Sequence, residues 1–186
     1  MSRRSKATTE EKRFSPAAMQ LALKADWRWD DGKLEEAVEL LEQAIEIAPT
    51  YAYARQNLVS LLLELERDDD ALPHLRHLVD VDRVESPEIL NTYGLFLLDE
   101  GNFDKAEEIF RHTIAVAPDF DSPYGNLGLI FEERGAYRQA IEAFQEFVNL
   151  TDDAEEREEA KERIRLLRKQ VPNEEEAPQG RGRYRS

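Results

Sequence analysis

The amino-acid sequence predicts an all-α protein made of stacked helical hairpins, and three spacings support this prediction. Four alanines recur at intervals of 34, 35 and 34 residues: Ala37, Ala71, Ala106 and Ala140. A large apolar residue stands four positions after each alanine: Leu41, Leu75, Phe110 and Phe144. Three of the alanines follow a glycine by five positions: Gly32, Gly101 and Gly135. A repeat of this length is typical of helix pairs that stack, because a lone hairpin cannot bury its apolar face.

Each repeat is expected to form a helix, a short turn and a second helix. An alanine and a large residue four positions later lie on one helix face, where the small alanine lets another helix cross close by. The glycine suits the tight turn that ends the first helix, since it adopts left-handed backbone conformations without steric cost. The second repeat has Glu66 at this turn and Pro73 early in its second helix. We therefore expect the second hairpin to be the least regular.

Two segments, 91–118 and 124–147, resemble the tetratricopeptide repeat (TPR). Both contain, in order, the small residue of the first helix, the turn glycine, the alanine of the second helix and an aromatic residue of that family. These residues are Gly94, Gly101, Ala106 and Phe110 in one segment, and Gly128, Gly135, Ala140 and Phe144 in the other. The resemblance implies a right-handed TPR solenoid of four hairpins, at 18–51, 52–86, 87–120 and 121–154.

The chain around these hairpins divides into three further segments. The hairpin region is expected to begin at residue 15, because Ser15 followed by Pro16 predicts a helix N-cap and first helical position. Residues 155–171 predict a capping helix, whose single apolar stripe is Ala160, Ile164, Leu167 and Val171. Residues 1–14 and 172–186 predict a disordered basic arm and a disordered tail, because they hold little that a core could bury. Similar serine–proline pairs at Ser86 and Ser122 predict two more helix starts.

The charge and composition exclude several classes of protein. The net charge is −15; residues 1–13 hold five basic and two acidic residues and residues 172–186 hold three of each, so residues 14–171 carry −18. Such a surface repels nucleic-acid phosphates and anionic lipids and attracts cationic partners. The chain has no cysteine, which excludes disulfides and thiolate chemistry. It has neither an apolar run of membrane-spanning length nor a secretory signal pattern, so we expect a cytoplasmic protein without membrane insertion.

The sequence gives no sign of catalysis, and we predict that the protein is not an enzyme. His74 and His77 stand three residues apart, a spacing compatible with metal binding, but polar residues are ordinary at that position of an outer helix. We interpret both as surface residues. No glycine-rich phosphate loop is present, and we expect neither a metal nor a cofactor.

The family resemblance implies that the first helices of successive hairpins line a concave groove that binds a peptide or partner subunit. Asparagine amides pair with a ligand backbone, exposed leucines accept apolar anchors, and acidic residues favour basic flanks. We therefore expect a non-catalytic adaptor that assists in the assembly of a protein complex. The candidate groove residues are Asp26, Trp29, Tyr53, Gln56, Asn57, Ser60, Glu64, Asn91, Leu95, Leu98, Asp99, Asn126, Leu129, Glu132 and Glu133.

Several alternatives stay open at this point. Leu95 and Leu98 could pack against the next hairpin instead of a ligand. An open-ended repeat protein could self-associate into a homo-oligomer. Residues 91–101 also resemble the corresponding helix of TPR proteins of type IV pilus assembly. The arginines around Tyr184, with the basic N-terminal arm, could contact RNA.

One known TPR role is excluded by charge. Co-chaperone TPR domains grip a C-terminal carboxylate with lysine, asparagine and arginine side chains of their first helices. The matching positions in the first hairpin hold Ala22 and Asp26, and those in the third hold Glu88 and Thr92. A dicarboxylate ligand would meet two acidic side chains there, so Asn57 alone matches that family's clamp.

Overall fold

The computed structural model describes residues 15–171, and every secondary-structure element in this range is a helix. The expected arm at 1–14 and tail at 172–186 lie outside the described residues. The helices within 15–171 are α1 (Pro16–Asp30), α2 (Leu34–Ile47), α3 (Ala52–Glu64), α4 (Asp68–Asp80), α5 (Pro87–Asp99), α6 (Phe103–Val116), α7 (Ser122–Glu133), α8 (Tyr137–Leu150) and α9 (Ala154–Arg168).

The turns after α1, α3, α5 and α7 share one hydrogen-bond pattern. After α1, the amide of Lys33 donates to the carbonyl of Arg28 and that of Gly32 donates to Trp29, both at 2.8 Å. This pair of bonds is the Schellman motif, which needs a left-handed residue at its end. Gly32, Gly101 and Gly135 have φ of 73°, 73° and 70°. The predicted turn role of the three glycines is confirmed.

Glu66 makes the same turn without being glycine. Its φ is 56°, its amide donates to Leu63 at 3.0 Å, and the amide of Arg67 donates to Leu62 at 2.8 Å. A side chain in this conformation costs about 1–2 kcal/mol. Arg83, after α4, is also left-handed with φ of 55°. The two left-handed residues other than glycine within 15–171 thus lie on either side of α4, in the second hairpin.

The chain forms two compact units, and the first extends to Asn102. It contains the pairs α1–α2 and α3–α4, followed by α5, and α1 is joined to them by small residues. Ala18, Ala22 and Ala25 are buried, while Leu21 and Trp29 pack partly buried against the same core. The alanine and leucine columns of the first two repeats are fully buried, as predicted: Ala37, Leu41, Ala71 and Leu75.

The second unit begins at Phe103 and contains α6, the α7–α8 pair and α9. Ala106, Phe110, Ala140 and Phe144 are buried in it, which confirms the remaining columns. Gly128 of α7 faces Phe144 of α8 so closely that a Cβ atom there would lie 2.6 Å from the ring. The missing side chain at position 128 is therefore what allows the two helices to pack.

The last helix has the predicted apolar stripe but ends earlier than predicted. Ala160, Ile164 and Leu167 are buried, and α9 packs on α8. Asp153 caps its start by accepting from the amides of Glu155 at 2.8 Å and Glu156 at 2.9 Å. The helix stops at Arg168, so the half-buried Val171 lies beyond it.

Two of the three predicted serine caps are present. Ser15 accepts from the amide of Ala18 at 3.5 Å and Ser86 from that of Ile89 at 3.4 Å. At the third position the helix start is as predicted, since α7 begins at Ser122, but no side-chain cap bond is made, and the hydroxyl of Ser122 donates to Asp121 at 3.1 Å. None of the helices between residues 15 and 171 is long and apolar enough to span a membrane.

Candidate partner-binding surface

The first hairpin is tied to the second through the carboxylate of Asp26. The hydroxyl of Tyr53 donates to Asp26 Oδ2 at 2.7 Å, and Asn57 Nδ2 donates to Asp26 Oδ1 at 2.9 Å. Tyr53 and Asn57 lie one turn apart on α3, so both side chains reach the same point of α1. Three predicted groove residues from two hairpins therefore meet in one hydrogen-bonded cluster.

A second link joins the same two helices about one turn further along α1 and about two turns further along α3. Trp29 Nε1 donates to Glu64 Oε2 at 2.7 Å. The two links together fix α1 beside α3, and they place the carboxylates of Asp26 and Glu64 between the two helices. Gln56 is half-buried and Ser60 is exposed on α3, so the structure does not bring either into these bonds with α1.

Tyr53 presents the largest apolar surface of this cluster. Its side chain is 43% exposed although its hydroxyl is bonded, and its ring lies 5.9 Å from that of Tyr51, centroid to centroid. The bond to Asp26 raises the pKa of Tyr53, because phenolate formation would place a second negative charge beside the carboxylate. Tyr53 thus stays a neutral donor and holds the Asp26 carboxylate in place.

The first helix of the third hairpin, α5, contributes a strip of apolar and acidic residues. Leu95 is 41% exposed, Leu98 is half-buried and Asp99 is exposed. Asn91 is buried rather than open to solvent. Of the four residues predicted on α5, Leu95 and Asp99 are therefore the ones directly accessible to a ligand.

The second unit places the other predicted residues on α7. Leu129 and Glu133 are exposed there, and Asn126 is half-buried. Glu132 is different, because its Oε2 is buried and lies 3.4 Å from Arg163 Nε of α9. Arg163 also lies over the ring of Phe144, 5.7 Å from its centroid. Glu132 therefore contacts the last helix rather than presenting its carboxylate to a ligand.

Two sequence models of the tetratricopeptide repeat match the chain, one over residues 28–95 and the other over residues 94–156. Together they extend from the end of α1 to the beginning of α9. This chain belongs to the tetratricopeptide repeat family. The all-α TPR solenoid predicted from the sequence is confirmed, and the TPR repeats support a protein-interaction scaffold.

The solved structures of similar fold include MamA and a tetratricopeptide repeat protein. A crystal structure of MamA is 16% identical with a TM-score of 0.66, covering 87% of this chain and 92% of that one. A tetratricopeptide repeat protein from Parabacteroides merdae ATCC 43184 is also 16% identical, with a TM-score of 0.69 and coverages of 83% and 61%. At these identities the likeness concerns the fold alone.

One curated relative is the BBSome complex member BBS4 homolog of Drosophila melanogaster. It is 23% identical over 121 residues, which is 65% of this chain and 25% of the relative. The TPR chain described here thus spans about a quarter of the length of that protein.

The TPR surface also shows why a carboxylate clamp does not fit. Ala22 is fully buried, and the adjacent groove position is the anionic Asp26. At the start of α5 the hydroxyl of the N-cap Ser86 donates to Glu88 at 2.6 Å, which lowers the pKa of Glu88 and keeps it charged. Negative side chains therefore occupy the places where a terminal carboxylate would need cations.

Sequence reasoning missed a polar cluster within the second hairpin. Arg55 of α3 is buried; its Nη2 donates to the carbonyl of Pro49 at 2.6 Å and its Nη1 lies 3.2 Å from His74 Nδ1. Arg55 Nε is 3.6 Å from Asp82 Oδ2, and His77 Nε2 is 3.5 Å from Asp82 Oδ1. His74 and His77, which the sequence predicts at the surface, are both half-buried and contact this cluster.

The cause of this omission is the loop after α4. Asp82 comes from that loop and Pro49 from the loop before α3, so the partners of Arg55 follow no helical period. Burial and the neighbouring guanidinium of Arg55 lower the pKa of His74, which suits a neutral ring accepting from Arg55. Between residues 15 and 171, no group of three or more His, Cys, Asp and Glu side chains is arranged to hold a metal ion.

An apolar stripe on α1 lies outside the repeat motifs. Met19, Leu23 and Trp27 are all exposed, at 44%, 48% and 68%. Their spacing of four residues predicts from the sequence alone that the three side chains share one helix face. The buried residues of α1 are at other positions, so this stripe is a separate surface.

Proposed function

We propose that this TPR protein is a non-catalytic adaptor that binds a segment of a partner protein across α1, α3 and α5 and so assists in assembling a complex. The segment carries apolar anchors flanked by lysine or arginine. This proposal concerns the first compact unit, where these three helices lie; Leu129 and Glu133 of α7 offer a similar apolar and acidic pair in the second.

The observation that carries the proposal is the pairing of exposed apolar groups with fixed acids. Tyr53 and Leu95 are each exposed by about two-fifths, at 43% and 41%. Asp26 and Glu64 are held in position by bonds from α3 and α1, respectively. Acids fixed before binding lose little conformational freedom when a cation arrives, so they add to affinity at low entropic cost.

The acidic net charge favours the same class of partner. The chain carries −15, and a field of this sign raises the association rate of basic segments while slowing that of acidic ones. A role in binding RNA would depend on the terminal arginines, which lie outside the described residues. A cytoplasmic location and the likeness to pilus-assembly TPR proteins stay predictions of the sequence.

A defined peptide library tests the proposal directly. Peptides of about ten residues with every combination of two apolar anchors and Lys, Glu or Ser flanks are arrayed and probed with the labelled full-length protein. We expect saturable binding to peptides with leucine, phenylalanine or tyrosine anchors and basic flanks. Binding that favours acidic flanks, or no saturable binding to any peptide, contradicts the proposal.

Two matched variants locate the site. Leu95→Ser removes an exposed leucine from the proposed surface, while Leu166→Ser removes one of comparable exposure from α9, at 50%. Because neither side chain belongs to the buried core, both variants should fold. We expect Leu95→Ser to weaken peptide binding about tenfold, as loss of an apolar anchor does, and Leu166→Ser to leave it unchanged. Equal effects of the two variants would remove the assignment to α5.

A further inference from the structure

The outer face of α1 is an apolar surface that the adaptor role does not use. Met19, Leu23 and Trp27 stand at steps of four and are 44%, 48% and 68% exposed. The opposite side of α1 packs Ala18, Ala22 and Ala25 into the core. Trp27 in particular exposes most of a large apolar ring, which is costly in water and typical of a contact surface.

The parts of the chain outside the described residues do not have the composition to match this stripe. Residues 1–14 contain Met1, Ala7 and Phe14 as their apolar members, and residues 172–186 contain Ala177 and Tyr184. Neither segment has large apolar residues at helical spacing. A matching surface does exist on a second copy of α1 itself.

The charges along α1 are complementary to those of an antiparallel copy. Asp30 ends the helix on the face of the stripe, and Pro16 begins it seven residues before Leu23 on that same face. Within its own helix Asp30 is unfavourable, because a carboxylate lies near the negative end of the dipole. The first turn of α1 contains no acidic residue. An antiparallel copy would place Asp30 beside that positively polarised turn.

We propose that the protein forms a two-fold symmetric homodimer through α1. Leu23 lies at the symmetry axis against Leu23 of the second copy. Met19 packs against Trp27 of the second copy, and Trp27 against its Met19. Asp30 lies near the first turn of the second copy, where residue 16 falls in this register. A contact of this kind is isologous and closes at two chains.

The size of the stripe sets the strength of this dimer. Three side chains of this exposure offer on the order of 300 Å² per copy, against about 800 Å² per partner in a standard interface. The dissociation constant of the dimer should therefore be on the order of micromolar or higher. Where two copies bind linked or repeated partner segments, pairing of the two adaptor surfaces raises the effective affinity. The dimer itself does not depend on the proposed peptide binding.

Sedimentation equilibrium of the full-length chain measures the association. We expect a monomer–dimer equilibrium between about 1 and about 300 μM, the range set by an interface below standard size. Leu23→Asp places two carboxylates at the axis and should weaken association at least tenfold. Leu166→Asp, at an exposed leucine of α9, should leave it unchanged. A strictly monomeric native protein over this range overturns the proposal, whatever the peptide array shows.

Single cysteines determine the register, because the native chain has none. Leu23→Cys should form a disulfide-linked dimer under mild oxidation, since the two thiols meet at the axis. In the antiparallel register, the cysteines of Met19→Cys lie about 12 Å apart along the helices, which is too far for a disulfide. If Leu166→Cys crosslinks as fast as Leu23→Cys, the disulfides form by random collision. If Met19→Cys crosslinks, the two copies of α1 are parallel. Either result overturns the antiparallel dimer.

Asp30→Lys separates association from folding. It removes an acid from the C-terminal end of α1, so the monomer should become more stable to heat. In the dimer it brings a cation to the positive end of the second copy, so association should weaken about tenfold. A variant that is more heat-stable yet associates as tightly as the native chain would overturn the role given to Asp30 and, with it, the proposed register.

Discussion

At the scale of single residues, Glu66 shows how one position departs from the repeat without changing the turn. It has the backbone conformation that glycine has in the other three turns and makes the same two hydrogen bonds. The hydrogen bonds of the Schellman motif and the packing of α3 on α4 therefore outweigh the strain of a side chain there.

Replacing Glu66 by glycine should stabilise the protein. Relief of left-handed strain contributes about 1–2 kcal/mol, and the greater freedom of glycine in the unfolded chain removes about half of that. We expect a net gain of about 0.5–1 kcal/mol, measured by urea denaturation. Glu66→Ala keeps the strain and serves as the control. Equal stabilities of the glycine and alanine variants would show that φ at residue 66 is not a source of strain.

His74 gives the second residue-scale prediction, a dependence of stability on pH. Its pKa is lowered by burial first, then by Arg55 and His77, while Asp70 opposes the shift. A histidine with a lowered folded-state pKa binds its proton more readily when unfolded. The stability from neutral His74 is therefore complete above the unfolded pKa of about 6.5 and is lost as pH falls through the folded value.

The comparison of His74→Asn with the native chain isolates this effect. Asparagine offers an oxygen that accepts from Arg55 Nη1 and does not titrate, while His77, Asp70 and Asp82 stay in place. We expect the native chain to lose more unfolding free energy than the variant between about pH 7.5 and about pH 5.5. Parallel losses in both proteins would show that His74 is not the titrating group.

At the scale of helices, the sequence predicts the packing positions and turns that recur in every hairpin, and it misses features that occur at one helix only. The alanine, leucine and phenylalanine columns are buried as predicted, because every hairpin imposes the same packing at the same position. The turn glycines follow from the same argument. The cap at Ser122 and the end of α9 depend on local geometry, and helix ends carry weaker sequence signals than apolar periods.

In the candidate surface, too, the sequence predicts the features that follow the repeat and misses those that do not. The pattern of the first helices predicts which residues share a face, and the bonds among Asp26, Tyr53 and Asn57 join three of them. The same pattern could not predict the ion pair between Glu132 and Arg163, because Arg163 belongs to α9, a helix outside the repeat. The adaptor surface and the groove as a whole remain predictions.

The last helix supplies a prediction at this scale, because one face of α9 is buried and the rest is exposed and mostly charged. Ile164 is buried, whereas Leu166 is half exposed. We expect Ile164→Ala to cost about 2–4 kcal/mol by leaving a cavity and Leu166→Ala to cost less than about 0.5 kcal/mol. Denaturant unfolding of the two variants measures this contrast. Similar costs would show that α9 does not pack by the stripe that includes Ile164.

For the whole molecule, the dominant feature is a negative charge spread over an interaction scaffold. Excess charge of one sign repels itself in the compact state and attracts the opposite charge in a ligand. Salt screens both effects, because the Debye length falls from about 14 Å at 50 mM to about 4 Å at 500 mM. The same titration with sodium chloride should therefore change folding and binding in opposite directions.

We expect the melting temperature of the free chain to rise between about 50 and about 500 mM sodium chloride, while the affinity for a basic-flanked peptide falls about tenfold or more. A peptide with the same apolar anchors and serine flanks is the control, and its affinity should change little because its binding is hydrophobic. If both peptides respond equally to salt, the acidic residues do not select the flanks. In that case the charge of −15 acts on solubility and stability alone, and the recognition of a partner depends on Tyr53 and Leu95.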